Sequence, residues 1–362
     1  MIRVLHVYKL FGRGGAQGRT MGIFDSIDRE KINFDFILHT DDTCAFEEEA
    51  RALGANIYRL PPFKGFNLFG YRKAWKDFLA KSDGYDAVHI HVTNFAFAFL
   101  ALLKNIPMRI AHAHNASDSS ILKRIAVKLT RKYILRHATH FLAASQMASD
   151  FTFGKGAKDV IVAPNPIDVP AFTYDPAARL RMREELGLGE SLTVGHVGRF
   201  YEQKNHPYLF QVAKELQREC PEAVLLLVGD GPLFEELKGQ ADEMGINARF
   251  LGVRKDIPEL MQAMDVLAMP SLFEGLCNAV VEALSSGLPC VLSDRFPGEC
   301  ELVPSLVTFL PIEPSSVGGW VRAILGARGN VREDTCDRIC AFGFDVKTQA
   351  RRELEFYERG AC

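Results

Sequence analysis

Two carboxylates, Glu274 and Glu282, stand with seven residues between them in the stretch PSLFEGLCNAVVEALSSGLP, residues 270–289. An apolar run precedes them and residues 271–275 read as loop. Residues 278–285 are then apolar at helical spacing until Gly287-Leu288-Pro289 stops the pattern. Both acids therefore flank one helix N-terminus, where backbone N–H groups lack partners and the helix dipole is positive. An anion that carries hydroxyls, such as a sugar diphosphate, fits this arrangement: the N–H groups take phosphate and the carboxylates accept from hydroxyls. The same spacing also fits a plainer pairing, an acid that stabilises the dipole and a solvated helix glutamate.

Cations stand at a second strand end. The apolar run 192–197 closes in Gly198-Arg199, and Lys204 follows a short polar loop. A planar guanidinium and an ammonium can together neutralise a diphosphate; two surface cations beside a turn would look the same. The next run, 223–228, ends in Gly229-Asp230-Gly231-Pro232, a turn that something approaches closely but without the G-x-G-x-x-G spacing of a dinucleotide fingerprint. Near the start, YKLFGRGGAQG (8–18) follows the first strand and carries Gly12, Gly14, Gly15 and Gly18, which can bring backbone donors to a ligand ahead of a helix. Four histidines, His89, His91, His112 and His114, mark the ends of two strands. A metal could use them, but no carboxylate or Cys shares their spacing. His89 and His112 read as core residues, and His114 as the one placed against substrate.

The elements that would position these groups follow from composition and pattern. The chain has 362 residues, 48% hydrophobic and 24% charged, with a net charge of −2. That length suggests two domains, and the charge gives no global attraction to nucleic acid. Eight scattered cysteines without paired zinc spacing read as reduced thiols. The N-terminus runs straight into a strand, and no apolar run is long enough to span a bilayer, so a cytoplasmic protein is expected. Short apolar runs alternate with helical patterns throughout, which predicts parallel sheets covered by helices. Strands are expected at 3–8, 34–38, 56–60, 87–91, 109–112, 140–144 and 160–163, then at 192–197, 223–228, 248–250, 266–268, 290–292 and 308–310. The fold class is α/β: two doubly wound, Rossmann-like domains facing each other across a cleft. Residues 1–170 form the first domain, 171–189 a polar connector and 190–345 the second domain. Residues 346–362 are a charged helix returning to the first domain. Ligands of such sheets sit beyond the carboxyl ends of the strands, where every motif above falls.

In that order the motifs resemble the retaining group 1 (family 4) glycosyltransferases of the GT-B fold. The matching elements are Gly14-Gly15-Ala16, His114, VGRFYEQK (197–204), LLLVGDGP (225–232), FLGVRKDIPELM (250–261) and EGLCNAVVEA (274–283). The resemblance implies a donor site for a nucleotide sugar as co-substrate, with no other cofactor and no metal. Glu282 would hold the ribose hydroxyls and Glu274 the donor sugar. Arg199 and Lys204 would bind the diphosphate, helped by Gly198 and the amides of Gly275, Leu276 and Cys277. Val253 and Arg254 would flank the base. Gly14 and Gly15 would close over the phosphates, with His114 near sugar and acceptor. No acidic pair of D-x-D type stands at a strand end, so leaving-group charge falls to Arg199, Lys204 and helix amides. Three departures stand out: Cys277 where the family often has Pro, Pro166 where it has Gly, and Gln17 where many members have Glu.

The resemblance implies transfer of a hexosyl group, most often from a UDP-sugar, to a carbohydrate or lipid-linked glycan in capsule or exopolysaccharide assembly. Residues 119–149 carry Lys123, Arg124, Lys128, Arg131, Lys132 and Arg136 and no acid before Asp150, and 61–79 interleave Phe63, Phe66, Phe69, Tyr71 and Trp75 with Lys64, Arg72, Lys73 and Lys76. Both segments could give peripheral contact with the inner face of the plasma membrane. A sugar-nucleotide epimerase and a non-catalytic nucleotide-sugar sensor share the fold and remain as alternatives. A nicotinamide-dependent dehydrogenase lacks its fingerprint here.

Overall fold

A computed structural model describes residues 1–12, 14–62, 67–91, 103–114 and 121–361, with the backbone alone for 121–126, 128, 129 and 361. The chain divides into two compact units, 1–166 with 345–362, and 167–344.

The first unit holds strands β1 (Ile2–Tyr8), β2 (Ile32–Leu38), β3 (Ile57–Arg59), β4 (Ala87–Ile90), β5 (Met108–Ala113), β6 (His140–Ala143) and β7 (Val160–Val162). The second holds β8 (Thr193–Val197), β9 (Val224–Val228), β10 (Ala248–Phe250), β11 (Val266–Met269), β12 (Cys290–Ser293) and β13 (Val307–Leu310). Every pairing is parallel, in the orders β3-β2-β1-β4-β5-β6-β7 and β10-β9-β8-β11-β12-β13. Thirteen strands thus lie within one or two residues of their sequence-based positions. The reason is burial on both faces. In β9, Val224, Leu226 and Val228 join one core while Leu225 and Leu227 join the opposite one, so the strand is apolar throughout.

Strand order reverses between β1 and β4, and again between β8 and β11. Loops leaving neighbouring strands in opposite directions open a crevice there, where doubly wound sheets bind ligands. In the second unit, the loops at that point are the ones after β8 and β11, which carry Lys204 and Glu274.

The segment expected to be a connector, 171–189, belongs to the second unit. Helix Pro176–Glu185 starts from the Asp175 cap, which accepts from Ala177 N at 2.8 Å, and docks against helix Ile257–Ala263. Its polar look is misleading because its arginines are structural. Arg183 donates to the carbonyls of Gly189, Ser191 and Ala263, and Arg179 pairs with Asp265 at 2.6 Å. Helix Val346–Ala361 lies in the first unit against helix Gly15–Ser26. Its buried Glu353 meets Arg19 at 2.7 Å.

Among the described residues no helix is long and apolar enough to cross a membrane, and every cysteine is a free thiol.

Candidate donor site

The loop after β8 is held by close backbone contact. Gly198 N donates to Val228 O at 2.9 Å, and Phe200 N donates to Asp230 O at 3.0 Å. Gly229, at φ +136°, sits where a Cβ would fall 2.0 Å from Gly198 O, and a Cβ on Gly231 would fall 2.5 Å from Phe200 O. The GDG turn is therefore glycine-rich because the 198–200 backbone lies against it, not because a phosphate must enter. Asn205, in the left-handed region at φ 54°, ends the loop and donates from its side chain to Pro270 O at 3.1 Å. Leu272 N donates to Gln203 O, and Gln203 Nε2 donates to Phe273 O. These bonds splice the β8 loop to the β11 loop. Gln203 was no candidate on sequence grounds, since a polar loop residue carries no signal of its partner 70 residues away.

This splice brings Lys204 to Glu274, Nζ to Oε1 2.7 Å, with the Cys277 sulfur 3.9 Å from the same ammonium. Both charged side chains are largely buried. Desolvation pulls the Lys204 pKa down, but the negative charge beside it outweighs this, Glu274 accepting its hydrogen bond, and the net shift is upward. Lys204 is thus a fixed cation. Burial pushes the Cys277 thiol up, against the pull of Lys204, so the thiol stays protonated. A Cβ on Gly198 would meet Lys204 Cε at 2.9 Å, so glycine lets the lysine stem lie along the strand end.

Arg199 is exposed and meets no carboxylate among the described residues. Its guanidinium lies 4.6 Å over the Tyr201 ring and donates to Tyr201 Oη at 3.2 Å. Cys277 caps helix Asn278–Ser285 without a side-chain cap bond, and the Gly275 and Leu276 amides donate to no backbone carbonyl among the described residues. Glu282 lies one turn into this helix, partly buried. Desolvation raises its carboxyl to about 7. A carboxylate desolvated without a cation to offset it is an acceptor held ready for hydroxyls.

Val253 is exposed, while Arg254 is bound to Asp256 and to Glu185 at 3.3 Å, and these bonds raise its pKa. Among the described residues Arg254 makes no hydrogen bond or ion pair with Lys204, Glu274 or Cys277; its partners are Asp256 and Glu185.

In the first unit, helix Gly15–Ser26 begins after the glycine loop, with Gly14 at its cap. A Cβ on Gly15 would stand 3.0 Å from Asn165 Nδ2. His114 follows β5 directly. His6, His89 and His112 on β1, β4 and β5 share one face with His91 and His114, which directly follow β4 and β5, and all but His114 are buried. His6 escaped the sequence reading because a lone histidine in an apolar strand has no local signal. Its neighbours appear only when β4 pairs beside β1. The groups His6-His89-His91 and His91-His112-His114 place one nitrogen each within 4.8 Å. Yet the contacting pairs lie 2.8–2.9 Å apart, as hydrogen-bonded rings do. Two nitrogens on one tetrahedral ion would stand about 3.3 Å apart.

Comparison with known proteins gives the family. Residues 13–170 match the model of "Glycosyltransferase Family 4" and 179–327 that of "Glycosyl transferases group 1". The putative glycosyltransferase EpsF of Bacillus subtilis (strain 168) is 34% identical over 98% of this chain and 96% of its own. This chain is a group 1 glycosyltransferase. An Escherichia coli UDP-Gal:alpha-D-GlcNAc-diphosphoundecaprenol alpha-1,3-galactosyltransferase is 27% identical, with the same coverage of both chains. The crystal structure of Anabaena HepE with UDP and glucose superposes with a TM-score of 0.78 at 21% identity, covering 99% of this chain and 100% of that one. WaaG, a glycosyltransferase involved in lipopolysaccharide biosynthesis, superposes at 0.69 and 18% identity over 98% of this glycosyltransferase and 99% of its own chain. Those two likenesses show the GT-B fold.

Proposed function

We propose that this glycosyltransferase moves a hexosyl group from a UDP-sugar to a carbohydrate or lipid-linked glycan acceptor in cell-surface polysaccharide assembly, with retention of anomeric configuration. The observation that carries the donor assignment is the Lys204–Glu274 contact at the strand-order reversal of the second sheet. Lys204 and Arg199 take the diphosphate and stabilise it as it leaves, with the Gly275, Leu276 and Cys277 amides as further donors. Glu282 accepts from the ribose hydroxyls and Glu274 from the sugar. Val253 lies against the base through its backbone. In the first unit, Gly14, Gly15 and His114 serve phosphate, sugar and acceptor. In this reading the leaving-group charge falls to Arg199, Lys204 and the helix amides, and no metal is proposed.

A relative whose name gives a diphosphoundecaprenol substrate supports a lipid-linked acceptor, met at the cytoplasmic face of the membrane. Part of the expected membrane surface has another task. Tyr71 and Trp75 are core residues, and Arg131 donates to the Thr152 and Phe151 carbonyls. Phe63, Lys64 and Phe66, and the side chains of Lys123, Arg124 and Lys128, lie outside the described residues. Phe69, 87% exposed, with Arg72, Lys73 and Lys76 is the surface that supports membrane contact.

A donor screen tests the reading: UDP-sugars and GDP-sugars are offered with and without extracted lipid-linked intermediates, and nucleotide release is followed. UDP released with no glycosidic product would favour epimerase chemistry, and no release from any donor would sink the transferase reading.

A further inference from the structure

Between β11 and helix Asn278–Ser285, the loop 270–277 is held by its carbonyls. Asn205 Nδ2 donates to Pro270 O at 3.1 Å and Gln203 Nε2 to Phe273 O at 2.9 Å, both from the loop after β8. Ser293 Oγ, at the end of β12, donates to Ser271 O at 2.6 Å. The peptide joining Ser271 to Leu272 is clamped at both ends, because Leu272 N donates to Gln203 O at 2.8 Å. The last hold is a thiol. Cys300, in the short turn Gly298–Cys300, places its Sγ 3.8 Å from Gly275 O.

Cys300 is buried, and burial pushes its thiol up to about 12, with the Cys277 N–H drawing it part of the way back. It is a neutral S–H, a donor for the Gly275 carbonyl. In a trans peptide the C=O and the N–H that follows it point in opposite directions, and no peptide here is cis. The hold on Gly275 O therefore turns the Leu276 N–H away from the buried thiol, while the Cys277 N–H lies on the sulfur side. Among the described residues the Leu276 N–H donates to no backbone carbonyl. Sterics alone do not impose this orientation. Gly275 has no Cβ, so the peptide between 275 and 276 can turn over, and a carbonyl facing the crevice would repel phosphate.

From this geometry we infer that Cys300 is a positioning residue for the donor: its S–H holds the Gly275 carbonyl and so keeps the Leu276 N–H free for a diphosphate oxygen. Of the amides assigned to the diphosphate, Leu276 is the one this hold controls. The phosphate contact rests on the transferase reading; the orientation of the peptide does not. Plain packing is the competing use, since Cys300 also belongs to an apolar cluster with Phe296 and Leu302.

Cys300→Val fills the same space without a donor, and Cys300→Ser keeps a hydroxyl. The full-length protein is titrated calorimetrically with UDP and with uridine, which has no phosphate. In Cys300→Val, UDP should bind about fivefold more weakly, as for one lost hydrogen bond, with uridine unchanged. Donor KM should rise by the same factor while kcat holds, and Cys300→Ser should fall between Cys300→Val and the wild type. In protein labelled with ¹⁵N-leucine, the Leu276 amide is assigned by its loss in Leu276→Met. It should move with UDP and not with uridine, and lose that response in Cys300→Val. Equal weakening of UDP and uridine overturns the inference. So does a lower melting point with UDP affinity kept, or a Leu276 amide that ignores UDP. A wild-type protein that binds UDP but turns over no donor sugar fails the transferase reading, while the two titrations still judge Cys300. If the wild type binds neither UDP nor uridine, both fall.

Discussion

Lys204 Nζ and Glu274 Oε1 lie 2.7 Å apart although 70 residues separate them in the chain. The contact joins the loops on either side of the strand-order reversal, so a diphosphate entering there meets a cation already oriented by a carboxylate. Lys204→Ala removes that cation and leaves Glu274 in a low-dielectric site without its partner. Turnover should fall by roughly 10²-fold or more, as for other lost transition-state charge contacts. Thermal stability should fall as well, because a partly buried carboxylate is left uncompensated. Steady-state UDP release and a melting curve on the same sample read both effects.

Arg199→Ala should separate the two. Among the described residues its guanidinium touches the Tyr201 ring and hydroxyl at the surface and no carboxylate, so melting should barely move. Turnover should still drop roughly 10²-fold. A variant with wild-type rates would remove Arg199 from the diphosphate site.

Glu282 makes donor affinity depend on pH. Its carboxyl is raised to about 7 by desolvation, and only the ionised form can accept from two hydroxyls at once. Binding of UDP should therefore weaken as pH falls below about 7, approaching tenfold per pH unit, as titration calorimetry would show. The effect on folding has the opposite sign. Between the ordinary carboxylate range and about 7, the folded state holds a proton that the unfolded state has released, so stability falls as pH rises through that window. Glu282→Gln removes this loss: at pH 8 it should melt higher, by on the order of 1 kcal/mol, yet bind UDP more weakly. A lower melting point at pH 8 would show that the carboxylate is held by a partner.

Much of this architecture is legible in the sequence because parallel strands are apolar on both faces, and runs such as 224–228 announce themselves. The candidate site is legible for a related reason: its glycines and charges sit at strand ends, and the structure brings Lys204 to Glu274. What was not legible depends on pairing between distant elements. Arg179 and Arg183 give helix Pro176–Glu185 a solvated composition, yet they spend their charge on carbonyls and Asp265. His6 acquires its neighbours only through sheet order. Tyr71 and Trp75 resemble membrane-facing aromatics until helix Leu68–Lys81 is seen to turn them inward.

Gly229 offers a test of the scaffold alone. At φ +136° and with a Cβ clash against Gly198 O at 2.0 Å, Gly229→Ala must displace the loop that carries Arg199 and Lys204. Destabilisation on the order of 3 kcal/mol is expected, with loss of turnover. Gly239, inside helix Phe234–Glu243 with open space around it, is the control: Gly239→Ala should stabilise by up to about 1 kcal/mol. Equal melting points for the two variants would contradict the close approach.

Contact with an anionic membrane should depend on Phe69 and the cations beside it, and not on Arg131. On helix Leu68–Lys81, Tyr71 and Trp75 face the core while Phe69, Arg72, Lys73 and Lys76 face solvent. An exposed aromatic beside three cations can enter the headgroup layer while the charges meet anionic lipid, each contributing about 1 kcal/mol near the surface. Phe69→Ala combined with Lys73→Glu and Lys76→Glu should therefore reduce sedimentation with anionic vesicles at least tenfold and leave melting unchanged. Arg131→Glu should act in the reverse sense. Its guanidinium holds the end of helix Gln146–Thr152 through two carbonyls, so its loss should lower the melting point first. Unaltered vesicle binding in the triple variant would dismiss this surface as a membrane contact.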